Sequence, residues 1–275
     1  MNEALAFSES IPEPRILMCP PRYYGIYYEI NPWMDTGKDA DNAQANKQWV
    51  DLYELLANRL SCSVSLIDPV AGLPDMCFTA NAGLLFTDIF IPSNFRYKER
   101  SGESKYFIQW FYERGYRVKK LPNEYYFEGQ GDALFCGDTL FAGYHFRSEI
   151  HTHKLIGDII KRRVISLELV DPYFYHLDTC FCPLDEKSVL YYPPAFDSYA
   201  LRVINEFVEN PILVAKEDAV NFGCNSIALG KDIVLNKRCS NLCEKLSSLG
   251  FTVHEVDLSE FVKAGGAAKC LAFIF

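Results

Sequence analysis

No run of about 20 apolar residues, the length a membrane span needs, occurs in these 275 residues. Basic charge is also short: 27 Lys and Arg face 36 Asp and Glu, for a formal net charge of -9. An acidic chain repels phosphate backbones, which argues against nucleic acid as a partner. The basic run Lys161-Arg162-Arg163 leads straight into an apolar segment and reads as a solvated helix end. The opening MNEALAFSESIPEPRIL lacks the basic stretch and apolar run of a signal peptide. No C-x-x-C pair exists: Cys180 and Cys182 stand too close and Cys239 and Cys243 too far apart. The ten cysteines therefore read as reduced thiols of a cytoplasmic protein. His145, His151 and His153 fit no zinc pattern. Gly129-Gln130-Gly131 has neither the spacing nor the Lys of a phosphate cradle.

What is present is a globular mix, 49% hydrophobic and 23% charged, rich in Tyr and Phe. Helical spacing recurs in Gln48 to Leu60 through Trp49, Leu52, Leu56 and Leu60. Ser104 to Gly115 is an aromatic-rich helix that stops at Gly115, and Ser240 to Leu249 stops at Gly250. Asp197 caps a helix through Ala200, Val203, Ile204 and Phe207. Short apolar runs between them predict strands at Arg15–Met18, Val64–Ile67, Gly83–Phe90, Val164–Leu169, Ser188–Tyr192, Pro211–Ala215, Asp232–Leu235 and Cys270–Phe275. Alternating strands and helices predict an α/β or α+β chain. No linker divides it, so residues 1–275 read as a single domain.

Five segments, at residues 18–35, 68–83, 127–149, 175–185 and 264–275, are rich in Gly and polar residues yet flanked by apolar runs. Loops at strand ends are where sites assemble. In the last, AGGAAKCLAFIF, small residues precede Cys270 at the mouth of an apolar run. Small residues let a ligand approach the backbone. A buried core cysteine is the competing reading. With His176 and Glu128, Cys270 supplies nucleophile, general acid/base and orienting carboxylate.

In order, these segments resemble the guanidino-group-modifying enzymes of the pentein superfamily, most closely the arginine dihydrolase type. The resemblance rests on INPWM (residues 30–34), PDMCFTANAG (74–83), FEGQGDAL (127–134), HLDTCFCPL (176–184) and Gly265 to Cys270, and it covers almost the whole chain. It implies a five-bladed α/β propeller of pseudo-fivefold ββαβ units around a polar channel. It implies Cys270 as nucleophile, His176 as general acid/base and Glu128 as its acidic partner. EGQGD holds one more residue than the EGGD of the deiminases, which bears on which carboxylate faces the His. Asp178 and Asp75 match guanidinium-binding positions, and Arg100 and Arg147 match arginines lining the substrate site. Asn31 matches a segment that closes over it. Asn81 stands where deiminases and dimethylaminohydrolases have Asp.

The resemblance thus implies hydrolysis of arginine to ornithine, carbon dioxide and ammonia, with no metal or organic cofactor. The partner it implies is a small guanidino substrate; a homo-oligomeric state is left open. The alternatives are a citrulline-forming deiminase or dimethylaminohydrolase, an amidinotransferase, and a non-catalytic pentein that only binds.

Overall fold

The computed structural model describes residues 14–275. The reading of the first 13 residues as no signal peptide lies outside that range. Fifteen strands form five separate three-stranded sheets, all built alike. In each sheet the middle strand pairs antiparallel with one neighbour and parallel with the other. The second sheet is β3 (Gly83–Phe86), β4 (Ile89–Pro92) and β5 (Arg117–Val118). The third is β6 (Ala133–Cys136), β7 (Thr139–Tyr144) and β8 (Val164–Glu168). The fourth is β9 (Phe181–Pro183), β10 (Ser188–Tyr191) and β11 (Asn210–Leu213), and the fifth is β12 (Ile227–Leu229), β13 (Asp232–Asn236) and β14 (Thr252–Val256). A helix lies between the middle strand and the parallel strand, because a parallel return needs a crossover. These helices are α1 (Asn42–Glu54), α2 (Ser104–Glu113), α3 (Ile150–Ile160), α4 (Ser198–Phe207) and α5 (Ser240–Ser248). The unit is ββαβ, five times.

The first sheet closes the ring. Its middle strand β1 (Arg15–Met18) runs parallel to β2 (Ser63–Leu66) and antiparallel to β15 (Phe273–Ile274). Ile16 pairs Ile274 and Leu17 pairs Phe273. A sheet made from distant parts of the sequence fixes the turn before β15 against the rest of the ring.

Local chemistry explains the elements. Asp41 caps α1 by accepting from Gln44 N at 3.0 Å, and Asp197 caps α4 by accepting from Ala200 N at 2.7 Å. Phe107, Trp110 and Phe111 are the buried face of α2, and Phe111 stacks on Phe90 of β4 at 3.9 Å between centroids. The expected single strand Gly83–Phe90 is instead the β3–β4 hairpin. Thr87 turns the chain at φ 53, in the left-handed region where a non-Gly residue is uncommon. The expected strand Cys270–Phe275 shortens to β15, so Cys270 lies in the turn ahead of it. His151 and His153 sit on α3, whose spacing was not singled out, although the run Lys161-Arg162-Arg163 read as a solvated helix end does follow its last residue. Among the described residues no group of three or more His, Cys, Asp or Glu could hold a metal ion. No described helix is long and apolar enough to cross a membrane.

One sheet edge matters for function. The first strand of each unit, and β15 in the closing sheet, is entered through a tight turn. Each turn carries a polar or nucleophilic residue one to three positions before the strand, among them Asn81, Asp132, Asp178, Asn225 and Cys270. All five are buried. The fivefold repeat thus delivers five chemical groups to one end of the ring.

Candidate active site

Cys270 is 3% exposed and held on three sides. Its Sγ lies 3.4 Å from Asp178 Oδ2 and accepts from Asn225 Nδ2 at 3.2 Å. Asn225 Oδ1 in turn accepts from the backbone N–H groups of Ala267 and Cys270, at 3.0 and 3.2 Å. One amide therefore sets both the turn and the sulfur. Burial, followed by the Asp178 charge, pushes the Cys270 thiol well above its ordinary range. The resting group is a thiol, and a cation beside Asp178 would favour its ionisation. Burial also raises Asp178, to about 6, against the opposing charge of Lys269.

His176 occupies the turn that carries Asp178, so the Asp178–Cys270 contact brings the His and Cys segments together. Its Nε2 is 2.8 Å from Glu128 Oε2, which also accepts from Arg147 Nη1 at 3.0 Å. Burial opposes ionisation of Glu128, but Arg147 and His176 overcome it and hold the carboxyl well below the usual carboxylate range. With Glu128 ionised, Nε2 carries the proton of this bond, leaving Nδ1 for proton transfer.

The other carboxylate of EGQGD, Asp132, accepts from Ser148 Oγ at 2.6 Å and from Leu177 N at 3.1 Å. Glu128 is thus the one that faces the His, and Asp132 holds the turn behind it. Gly131 allows this. A Cβ there would run into Asn81 Nδ2 and sit 3.4 Å from His176 Cγ. Gly131→Ala is expected to cost about 1–3 kcal/mol, by overpacking. Urea unfolding measures it, and an unchanged midpoint would contradict this account.

Asn81 is tied at both ends. Its Oδ1 accepts from Arg100 Nη1 at 2.8 Å and its Nδ2 donates to Glu128 O at 3.0 Å. Arg100 grips both oxygens of Glu103 through Nε and Nη2, each at 2.9 Å, and donates from Nη2 to Asp75 O at 3.1 Å. Both sequence-identified arginines thus already hold carboxylates. Arg147 also stacks between Tyr97 and Tyr175, at 4.7 and 4.6 Å. Burial raises Glu103 to about 7 despite the Arg100 charge.

Asp75 is 2% exposed, and its Oδ2 accepts from Tyr28 Oη at 2.9 Å. Its Oδ1 has no partner, and neither has Asp178 Oδ1. Asp75, Arg100, Arg147 and Cys270 line one narrow cavity. Five buried carboxyls (Asp75, Glu103, Glu128, Asp132, Asp178) stand against three buried cations, Arg100, Arg147 and Lys269. Such a site is short of positive charge.

Ile30, Asn31 and Met34, from the loop between β1 and α1, line the cavity. Asn31 Nδ2 donates to Ala264 O at 3.0 Å, its Oδ1 accepts from Trp33 N at 2.9 Å, and Ile30 O accepts from Arg147 Nη2 at 2.9 Å. The small residues near Cys270 make room for this loop. A Cβ on Gly265, at φ +84, would meet Tyr175 Oη at 2.8 Å and Trp33 at 3.0 Å.

Sequence reasoning missed Asn225 and Glu103. The signal for Asn225 was available: GCNSIAL repeats the pattern of TANAGLLF and GQGDALFC, a small-polar turn entering an apolar strand. Glu103 had only an unremarkable Arg-x-x-Glu spacing on its side.

Five ββαβ units closed into a ring, with polar turns gathered at one end, define a protein of the pentein fold. Within it, this chain belongs to the family described as N,N dimethylarginine dimethylhydrolase, eukaryotic, whose model matches residues 29–274. The bifunctional arginine dihydrolase/ornithine cyclodeaminase ArgZ of Synechocystis sp. is 49% identical over 263 residues, covering 94% of this chain and 37% of that protein. The chain thus spans little more than a third of that relative. The N(G),N(G)-dimethylarginine dimethylaminohydrolase of Mycobacterium tuberculosis is 41% identical, covering 93% of this chain and 84% of that protein. Among solved structures, a mutant of the N-terminal domain of ArgZ, an arginine dihydrolase bound to its substrate, matches with a TM-score of 0.91 and 46% identity. That match covers 95% of this chain and 98% of that one.

Proposed function

We propose that residues 1–275 form one catalytic unit that hydrolyses the guanidinium of arginine to ornithine, carbon dioxide and ammonia. The observation that carries this reading is the pair of buried carboxylate oxygens without partners, on Asp75 and Asp178, beside the Cys270 thiol. A buried anion left unsatisfied costs free energy. A planar cation with several N–H donors satisfies both oxygens and supplies the positive charge the site is short of.

In this reading Asp178 and Asp75 hold the guanidinium. The cation lowers the thiol's cost of ionisation, Cys270 passes its proton to His176 Nδ1, and the thiolate attacks the guanidinium carbon. His176 protonates the departing ammonia, leaving a covalent thiouronium. The same His deprotonates a water, which releases a citrulline-like product and restores the thiol. A second attack on the ureido carbon expels the second ammonia and leaves a thiocarbamate, which a second water hydrolyses to a carbamate that loses carbon dioxide to give ornithine. Arginine and two waters thus balance ornithine, two ammonia and carbon dioxide. Asn31 ties the cover that keeps bulk water out. The ten cysteines carry no disulfide, which supports a cytoplasmic setting.

Asn81 decides between one attack and two. The resemblance described above implies Asp at this position in deiminases and dimethylaminohydrolases. Asn81→Asp is expected to cut ornithine formation about tenfold or more, because a carboxylate repels a ureido oxygen toward which the amide's second N–H, the one not given to Glu128 O, can donate. Ammonia released per arginine should fall toward one. Ornithine release at the wild-type rate would sink this role.

The second reading is hydrolysis of a methylated arginine to citrulline, the chemistry named for the Mycobacterium relative. Incubation with arginine, methylarginines, agmatine and citrulline, with mass spectrometry of products, separates the two. Ornithine from arginine supports the first. Methylamines and citrulline support the second, and binding without turnover supports a non-catalytic pentein.

A further inference from the structure

Lys269 precedes Cys270 in the chain but lines a different cavity. Cys270 faces the covered site with Asp75 and Arg147, whereas Lys269 faces a second cavity with Leu134, Phe181, Cys182, Ser226 and Ile274, among the first strands of the units. Lys269 is 7% exposed. Its Nζ donates to Gln130 Oε1 at 3.0 Å and to Ala272 O at 3.2 Å, both neutral acceptors. Gln130 is braced in turn: its Nε2 donates to Ile274 O at 2.6 Å and its Oε1 accepts from Ile274 N at 3.1 Å. Gln130 is also the middle residue of EGQGD, where the deiminase motif is shorter by one. A buried ammonium without a carboxylate in contact is costly. The cost is offset only if anions lie close enough to act through space.

We propose that Lys269 is a positioning residue whose ammonium, held by Gln130 on the far side of the catalytic turn, keeps the Asp178–Cys270 pair in its working charge state. Burial pushes the Lys269 ammonium below its ordinary range, and the charges that oppose this are those of Asp178, from the turn before β9, of its neighbour Cys270 and of Cys182 of β9. Cys270 also faces Tyr175. Asp178 is the strong anion of the set, and Lys269 is the cation that opposes its rise toward neutrality. Removing the ammonium makes ionisation harder for both Asp178 and Cys270. Asp178 then protonates at a higher pH and loses its hold on a cation.

This role rests on the proposed guanidinium chemistry, so the test has one readout that needs no substrate. In the unliganded full chain, the rate of Cys270 alkylation by iodoacetamide is followed against pH by peptide mass spectrometry. In parallel, kcat/KM for arginine is measured down its acid limb. In Lys269→Met both midpoints are expected to move up by about one pH unit, a loss of about tenfold on the acid side, and Lys269→Arg is expected to restore both. Lys269→Gln, which keeps a donor toward Gln130 without charge, should behave as Lys269→Met does. Wild-type midpoints in Lys269→Met, or rescue by Gln as full as by Arg, overturn the proposal. If both neutral variants fail to fold, Lys269 is a structural residue and the proposal falls. If wild type does not turn over arginine, the function reading fails, and the alkylation comparison still decides the role of Lys269.

Discussion

Cys270→Ser is expected to lower arginine turnover by about 10⁴-fold or more while leaving the unfolding midpoint unchanged. A hydroxyl is almost never ionised near neutral pH, so the attacking anion disappears. The fold should not notice. A serine oxygen accepts from Asn225 Nδ2 as the sulfur does, and Asn225 Oδ1 keeps its two backbone donors. Ammonia release measures the first effect and urea unfolding the second. A stalled reaction should leave a mass adduct on the wild-type chain and none on the variant. Activity within tenfold of wild type would refute Cys270 as the nucleophile.

Arg100→Met is expected to destabilise the chain by about 3–5 kcal/mol, the cost of breaking a buried ion pair from one side. Arg100 is 4% exposed and holds Glu103, Asn81 and the Asp75 carbonyl together. Removing it strands Glu103, which is fully buried. The double variant Arg100→Met with Glu103→Leu should recover most of the stability, since an apolar pair of similar volume is often as good as a buried ion pair. It should not recover activity, because Asn81 Oδ1 still lacks its donor. Thermal melts and ammonia assays separate the two effects. A single variant that melts within a few degrees of wild type would contradict this role for Arg100.

The sequence was most legible where chemistry demands unusual residues in turns. Cys270, His176 and Glu128 drew attention as a thiol, an imidazole and a carboxylate at the ends of apolar runs, whereas Asp178 came from the family resemblance alone. Asn225 was hidden because an amide in a turn is ordinary chemistry, and only its bond to the sulfur shows its use. Glu103 was hidden because nothing local tells a surface Arg–Glu spacing from a buried clamp. The β3–β4 hairpin read as one strand because Thr87-Asp88 is not a glycine turn and apolar residues flank it on both sides. Only the end of α3 was read, at the solvated run Lys161-Arg162-Arg163, while its body, Ile150–Ile160, was weighed for its histidines rather than its spacing. The ring itself was implied by resemblance alone. No periodicity predicts that Ile16 pairs Ile274.

That pairing also sets an order of events on the ribosome. The turns that deliver Asn81, Asp132, Asp178 and Asn225 are all made before Cys270. Cys270, the proposed nucleophile, is made after all four, and the strand that follows it pairs with β1, the first strand of the described chain. A chain cut between Asn225 and Cys270 keeps the four polar turns but lacks both the sulfur and the strand that closes the first sheet.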